Sequence, residues 1–230
     1  MKAYLLAGGL GTRLYPLSLV LPKPLLTLGN RTVIEHILEW LSGYEFESYV
    51  VVTSGREWAF RTVLGDSYRG RKVIIVSSDR PLGTAGQLRW AAGSERETFF
   101  VTYTDSIIRA DISSAVAEHR RRGNIATIMV AEVSSRLKYG IIEEEDGAVK
   151  RWIEKPEIKH RVAAGAFIFE PEFLRYIREE KYGMNWAIQN AISAGERVGT
   201  YPVESFIDVG NMESFRDAAE RFAGEFGEIL

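Results

Sequence analysis

The sequence contains no cysteine. Disulfides, thiolate metal sites and cysteine nucleophile chemistry are thereby excluded. Its histidines, His36, His119 and His160, lie far apart and in no metal-ligand spacing, so a zinc site is not expected. No Gly-x-Ser-x-Gly elbow occurs, which argues against an esterase-type triad. A surplus of one charge is also missing: 29 Lys and Arg against 31 Asp and Glu leave a net charge of -2. That balance supplies no electrostatic drive towards nucleic acid or an anionic membrane. No apolar run approaches the roughly 20 residues of a membrane span, and Gly8-Gly9 cuts the N-terminal run short of signal-peptide length. The expectation is a soluble, cytoplasmic protein with neither a nucleic-acid nor a membrane partner.

What is present is ordinary globular material. Hydrophobic residues make up 46% of the 230 positions, enough for a substantial core. Short apolar runs at Ala3–Ala7, Tyr49–Thr53, Val73–Val76, Thr98–Thr102 and Ile125–Val130 read as buried strands. Helical spacing fills the intervals. In Thr32–Leu41, Val33, Ile34, Ile37, Leu38 and Leu41 share a face, and Thr32 with Glu35 forms a candidate capping box. Thr84 with Gln87 repeats that signature ahead of Leu88, Trp90 and Ala91. This alternation predicts an α/β fold with a mostly parallel sheet covered on both faces.

The pattern loosens after about residue 135. Ile141–Glu145 and Val149–Ile153 flank the turn dipeptide Asp146-Gly147, which predicts an inserted β-hairpin. A strand at Val162–Phe169 precedes Pro171 at a helix start, and Glu213–Phe226 reads as a closing amphipathic helix. The charge run Glu118-His119-Arg120-Arg121-Arg122 ends a predicted helix and reads as a solvated face.

Leu6-Ala7-Gly8-Gly9-Leu10-Gly11-Thr12-Arg13 follows directly from the first strand. Clustered glycines let a backbone bring its N–H groups close to an anion. Neither common phosphate motif fits: Leu14 stands where the dinucleotide fingerprint wants glycine, and no Gly-Lys pair exists for a Walker-type loop. Alone, the turn is equally an ordinary strand-to-loop connection. Arg13 and Lys23 add weight, because both sit in one long connection, Gly8–Asn30, stiffened by Pro16, Pro22 and Pro24. An Arg fork and a Lys point charge suit a polyphosphate.

The stretch LAGGLGTRLYPLSLVLPKPLL closely resembles the signature of the sugar-1-phosphate nucleotidylyltransferases. Later segments extend the resemblance. Pro81-Leu82-Gly83-Thr84-Ala85-Gly86 is similar to the family's turn beside the nucleotide base; its glycine turn and capped helix N-terminus also read as a polar-group site. Thr104-Asp105 stands where relatives carry Gly-Asp. Tyr139-Gly140, Glu154-Lys155-Pro156 and Ala163-Ala164-Gly165 follow at family-like intervals, the last lacking the usual Asn. Phe206-Ile207-Asp208-Val209-Gly210-Asn211 matches a terminal run in which Trp and Thr are usual at the first and last places, and Asn211 still suits a helix N-cap.

The resemblance implies a Rossmann-like mixed sheet in one nucleotidyltransferase domain spanning 1–230. Its nucleotide-binding part would cover about 1–135, its sugar-binding part about 136–210 and its closing helix about 211–226. It implies that Leu6, Ala7, Gly8, Gly9, Gly11, Thr12, Arg13, Gly83 and Thr84 bind the nucleotide. Gly140, Glu154, Lys155 and Gly165 would bind the sugar phosphate. Asp105 and Asp208 would hold Mg²⁺, and Arg13, Lys23, Asp105 and Asp208 would carry catalysis. The substrates implied are an NTP and a sugar-1-phosphate; the likeness is greatest to mannose- and heptose-1-phosphate guanylyltransferases, with mannose-1-phosphate and a guanine nucleotide the best guess. Alternatives are a glucose-1-phosphate uridylyl- or thymidylyltransferase, a transferase acting on a non-sugar phosphate, or a non-catalytic regulatory relative that binds nucleotide sugars. No second catalytic activity is expected, and a homo-oligomer is left open.

Overall fold

The computed structural model describes residues 1–223. Its strands are β1 (Ala3–Leu6), β2 (Thr27–Leu28), β3 (Arg31–Thr32), β4 (Ser48–Thr53), β5 (Ser67–Tyr68), β6 (Arg71–Ser77), β7 (Phe99–Tyr103) and β8 (Ser106–Arg109). They continue with β9 (Ala126–Arg136), β10 (Ile141–Glu145), β11 (Ala148–Ile153), β12 (Glu157–Phe169), β13 (Val198–Pro202) and β14 (Ser205–Asp208). The helices are α1 (Leu17–Val20), α2 (Val33–Leu41), α3 (Glu57–Leu64), α4 (Gly83–Ala92), α5 (Ile112–Arg121), α6 (Met184–Ser193) and α7 (Met212–Ala223). The predicted closing helix is present; its last residues, 224–226, lie outside the described ones.

The central sheet has eight strands in the order β13-β9-β12-β7-β1-β4-β6-β5. β1 pairs in parallel with β4 and β7, β4 with β6, and β13 with β9, while β12 runs antiparallel to β7 and β9. The sheet is mixed and mostly parallel, flanked by helices, as the alternation of the sequence predicts. The period-two geometry of a strand divides the apolar runs between two faces. Ala3, Leu5, Tyr49, Val51 and Phe100 enter one core with α2. Tyr4, Leu6, Val50, Val52, Phe99 and Val101 enter the other with α4 and α6. Both faces are buried, which is why these strands read as continuous apolar runs.

The capping box of α2 forms: the Thr32 hydroxyl accepts from the Glu35 N–H at 3.3 Å, and Glu35 Oε2 accepts from the Thr32 N–H at 2.8 Å. The second predicted box does not form. α4 starts at Gly83 with no side-chain cap, and the Thr84 hydroxyl instead accepts from the Met184 N–H at 2.9 Å. The charge run also needs correction. Its arginines are solvated, with Glu118 paired to Arg121 and Arg122, but His119 is fully buried. Helical rotation turns that one position inward, where Thr127 and Glu170 hold both ring nitrogens.

The hairpin of β10 and β11 pairs with itself as a separate two-stranded sheet. Asp146 at φ 51° and Gly147 at φ 76° make its turn, a conformation that favours these two residue types. It extends from a long antiparallel arm in which Glu157–Ala163 pairs with Val130–Arg136. Residues of the arm beyond Val133 are solvated, so no apolar alternation marks them in the sequence. β12 is therefore longer than the predicted Val162–Phe169.

Candidate active site

Parallel strands β1 and β7 are neighbours, yet the chain leaves β1 for β4 on the other side. Such a switch in direction opens a crevice at the carboxyl ends of the strands. The glycine loop leaves β1 into this crevice, and Thr104-Asp105 leaves β7 into it. The Ala7 N–H extends the ladder to the Val52 carbonyl at 2.7 Å before the loop departs.

The connection Gly8–Asn30 is well structured. It contains two 3₁₀ turns, Thr12–Leu14 and Lys23–Leu25, with α1 between them. Buried Leu14 anchors it, Ser18 Oγ donates to the Gly11 carbonyl at 2.7 Å, and the Arg56 guanidinium donates to the Ser18 and Leu19 carbonyls. The result places Lys23 Nζ 3.1 Å from Asp105 Oδ2, although 82 positions separate them in the chain. Both groups are partly shielded from water, so the attraction is roughly 5 kcal/mol at an effective dielectric near 20, before desolvation offsets much of it.

Leu6, Ala7, Gly8, Gly9, Gly11, Thr12, Arg13, Lys23, Gly83, Thr84 and Asp105 line one cavity of about 400 Å³. Asp208 and Gly165 line a second of about 420 Å³, with Ser106, Asn185 and Phe206. Asp105 and Tyr103 line both. Burial, opposed by a hydrogen bond with Thr84, pushes the Tyr103 phenol up to about 12, so it stays a neutral hydroxyl between the two spaces at neutral pH.

Two short strands bring the aspartates together. β8 and β14 pair antiparallel with Asp208 opposite Ser106, and the Val209 N–H donates to the Asp105 carbonyl at 2.9 Å. The Gly210 N–H donates to Asp208 Oδ1 at 3.0 Å and orients that carboxylate. No group of three or more candidate ligands occurs among the described residues. Asp105 and Asp208 carry the hard oxygen donors that a divalent cation such as Mg²⁺ would need.

Gly165 needs its φ of +83°, because it sits in a bulge of β12 where the pairing to β9 shifts between Ala163 and Phe167. The bulge carries Ala164 to Ser106, whose Oγ donates to its carbonyl at 3.0 Å. Gly140, Glu154 and Lys155 line neither cavity. They gather beside the hairpin, where Trp152 Nε1 donates to Glu154 Oε2 at 2.9 Å and Gly140 packs against both side chains.

Sequence reasoning missed Lys181, Gln87, Tyr103 and Asn185. Lys181 lies in the charged run Glu179-Glu180-Lys181, which carries no motif; it reaches the first cavity because the adjacent Tyr182 docks on α4. The Tyr182 carbonyl accepts from the Ala85 and Gly86 N–H groups at 3.0 and 3.2 Å. Those two amides of the helix start are thus occupied within the chain, where the sequence suggested an open polar-group site.

The model of the family described as nucleotidyl transferase matches residues 2–225. The chain belongs to the nucleotidyl transferase family. It is 33% identical over 224 residues to the mannose-1-phosphate guanylyltransferase catalytic subunit beta of Dictyostelium discoideum, covering 94% of this chain and 62% of that one. It is equally 33% identical, over 227 residues, to a mannose-1-phosphate guanyltransferase of Aspergillus fumigatus, covering 94% and 62%. The chain thus spans about three fifths of the length of these curated relatives. Among solved structures, HddC from Yersinia pseudotuberculosis superposes with a TM-score of 0.74 at 22% identity, covering 96% of this chain and 99% of that one, which supports the same nucleotidyl transferase fold. HddC has also been solved in complex with GMP-PN.

Proposed function

We propose that this nucleotidyl transferase joins a nucleoside triphosphate to a sugar-1-phosphate and releases pyrophosphate. The observation that carries the reading is the shared wall: Asp105 lines both the glycine-loop cavity and the cavity of Asp208 and Gly165. A nucleotide in the first space and a sugar phosphate in the second would meet at that carboxylate. The names of the two 33%-identical relatives favour GTP and mannose-1-phosphate within this class.

The sugar phosphate oxygen attacks the α-phosphorus in line. A new P–O bond forms to it, and the bond to the β-phosphate oxygen breaks, releasing pyrophosphate. The nucleophile is already an anion, so no general base is required. The difficulty is bringing two polyanions together, and the chain meets it by positioning and fixed charge. Arg13 holds the leaving pyrophosphate, and Lys23 neutralises the phosphate on which charge develops. The glycine-loop backbone from Leu6 to Thr12, with Gly83 and Thr84, holds the rest of the nucleotide. Gly165 lines the second cavity, where the sugar would sit. The sequence resemblance gives Gly140, Glu154 and Lys155 to the sugar and its phosphate, although they stand beside the hairpin and line neither cavity. Asp105 and Asp208 would hold Mg²⁺, which when bound offsets phosphate charge as a Lewis acid.

Pyrophosphate release from each of the four NTPs with mannose-, heptose- and glucose-1-phosphate, with and without Mg²⁺, tests the reading. The expected outcome is Mg²⁺-dependent release, highest with GTP and mannose-1-phosphate. Absence of release from every pair sinks it.

A further inference from the structure

We infer that Gln87 determines which nucleobase the glycine-loop cavity accepts, an inference that rests on that cavity holding the NTP. Gln87 is 5% exposed and lines the cavity together with Gly83 and Thr84. Positions 83, 84 and 87 are three and four residues apart on α4, so helical geometry puts them on one face. Thr84 is used inside the fold, where its hydroxyl accepts from Met184. The Gln87 carboxamide is not: among the described residues, no hydrogen bond reaches it. Ser48 and Tyr49 hold the fully enclosed side-chain atoms without a partner, so the Gln87 amide keeps contact with the cavity space.

Its orientation follows from Gly8. A Cβ built there would lie 2.6 Å from Gln87 Nε2, 2.7 Å from Oε1 and 2.8 Å from Cδ. Nε2 and Oε1 are the two nearest atoms, so the polar edge of the amide leans towards the space that glycine leaves open in the cavity wall. Glycine at position 8 leaves the room that this arrangement needs.

The chemistry selects the ligand group. Arg13, Lys23 and Lys181 also line the cavity and supply cations for phosphates. A phosphate offers only acceptors and has better partners in those groups. A carboxamide offers an acceptor and donors side by side and stays neutral at any working pH. A nucleobase edge presents a donor next to an acceptor, which a Gln side chain can meet with two bonds at once. A site built to complete such bonds rejects a base that leaves its buried polar group unpaired.

The test compares the full-length chain with Gln87→Met, which keeps volume and loses the amide. Steady-state kcat/KM is measured for the four NTPs with the sugar-1-phosphate giving the highest turnover. NTP affinity is measured in parallel by calorimetry. The ratio between the preferred and the second NTP is taken within each preparation, so an unfolded fraction cancels. A fall in that ratio of threefold or more, carried mainly by KM, supports the inference. A smaller change overturns it, because a merely structural glutamine would lower all NTPs together. If Gln87→Met does not fold, Gln87→Glu is judged by the same threshold. Wild-type protein that binds NTPs but releases no pyrophosphate removes the enzymatic reading and leaves the affinity ratio to judge Gln87. Wild-type protein that binds no NTP removes both.

Discussion

The pairing of Lys23 with Asp105 shows how a site can be held ready before substrates arrive. The carboxylate accepts the ammonium at 3.1 Å and keeps it directed into the glycine-loop cavity. In the mechanism we propose, Asp105 would hold the metal ion with Asp208, and Lys23 would neutralise phosphate. Asp105→Asn keeps the shape but removes the charge. Pyrophosphate release is expected to fall by about 10²–10³-fold, with thermal unfolding close to that of wild type. Activity near that of wild type in a folded Asp105→Asn would remove the metal assignment. At this scale the sequence was informative where a residue belonged to a motif: Arg13, Lys23, Asp105 and Gly165 line the two cavities. It was silent on Lys181 and Asn185, which belong to no motif and reach the cavities only through the docking of one segment on another.

Among the elements, the outcome depended on which partner a side chain found. Thr32 and Glu35 cap α2 because nothing else competes for them, and that reading held. Thr84 and Gln87 have a similar spacing, yet Met184 takes the threonine and the cavity takes the glutamine. Local spacing states which bonds are available; neighbours decide which are made. Thr32→Ala should lower unfolding stability by about 1 kcal/mol, measured by urea denaturation, without altering the preference among NTPs. An unchanged stability would show that the rest of α2's contacts make the cap redundant. The pair β8 and β14 was not foreseen, because each is only four residues long and β14 is partly solvated. That unforeseen pair is what sets Asp208 beside Asp105.

Across the whole molecule, His119 ties α5 to the sheet. Its ring nitrogens lie 2.8 Å from Thr127 Oγ1 and 3.0 Å from Glu170 Oε1, and Glu170 also accepts from Thr98 beside β7. Burial holds the imidazole below its ordinary value of 6.5, the Glu170 carboxylate opposing that shift. The sign follows directly. Below about pH 6.5 the unfolded chain binds a proton that the folded chain resists, so stability is full above that value and falls as pH drops towards the lowered folded value. The unfolding midpoint of wild type is expected to decline as pH falls below about 6.5, and His119→Gln is expected to flatten that decline. An equal slope in both proteins would assign the loss to other groups.

The sequence by itself determined the sheet and the glycine loop. Buried parallel strands must be apolar on both faces, and a phosphate loop must carry glycines and cations at fixed spacing, so both are written locally. Only the tertiary structure decided that two aspartates 103 positions apart share a wall, that a hairpin cluster stands outside both cavities, and that a buried amide faces the glycine loop. Those are contacts between distant segments. Their free energy comes from register, burial and partner competition across the folded chain, and no window of neighbouring residues contains it.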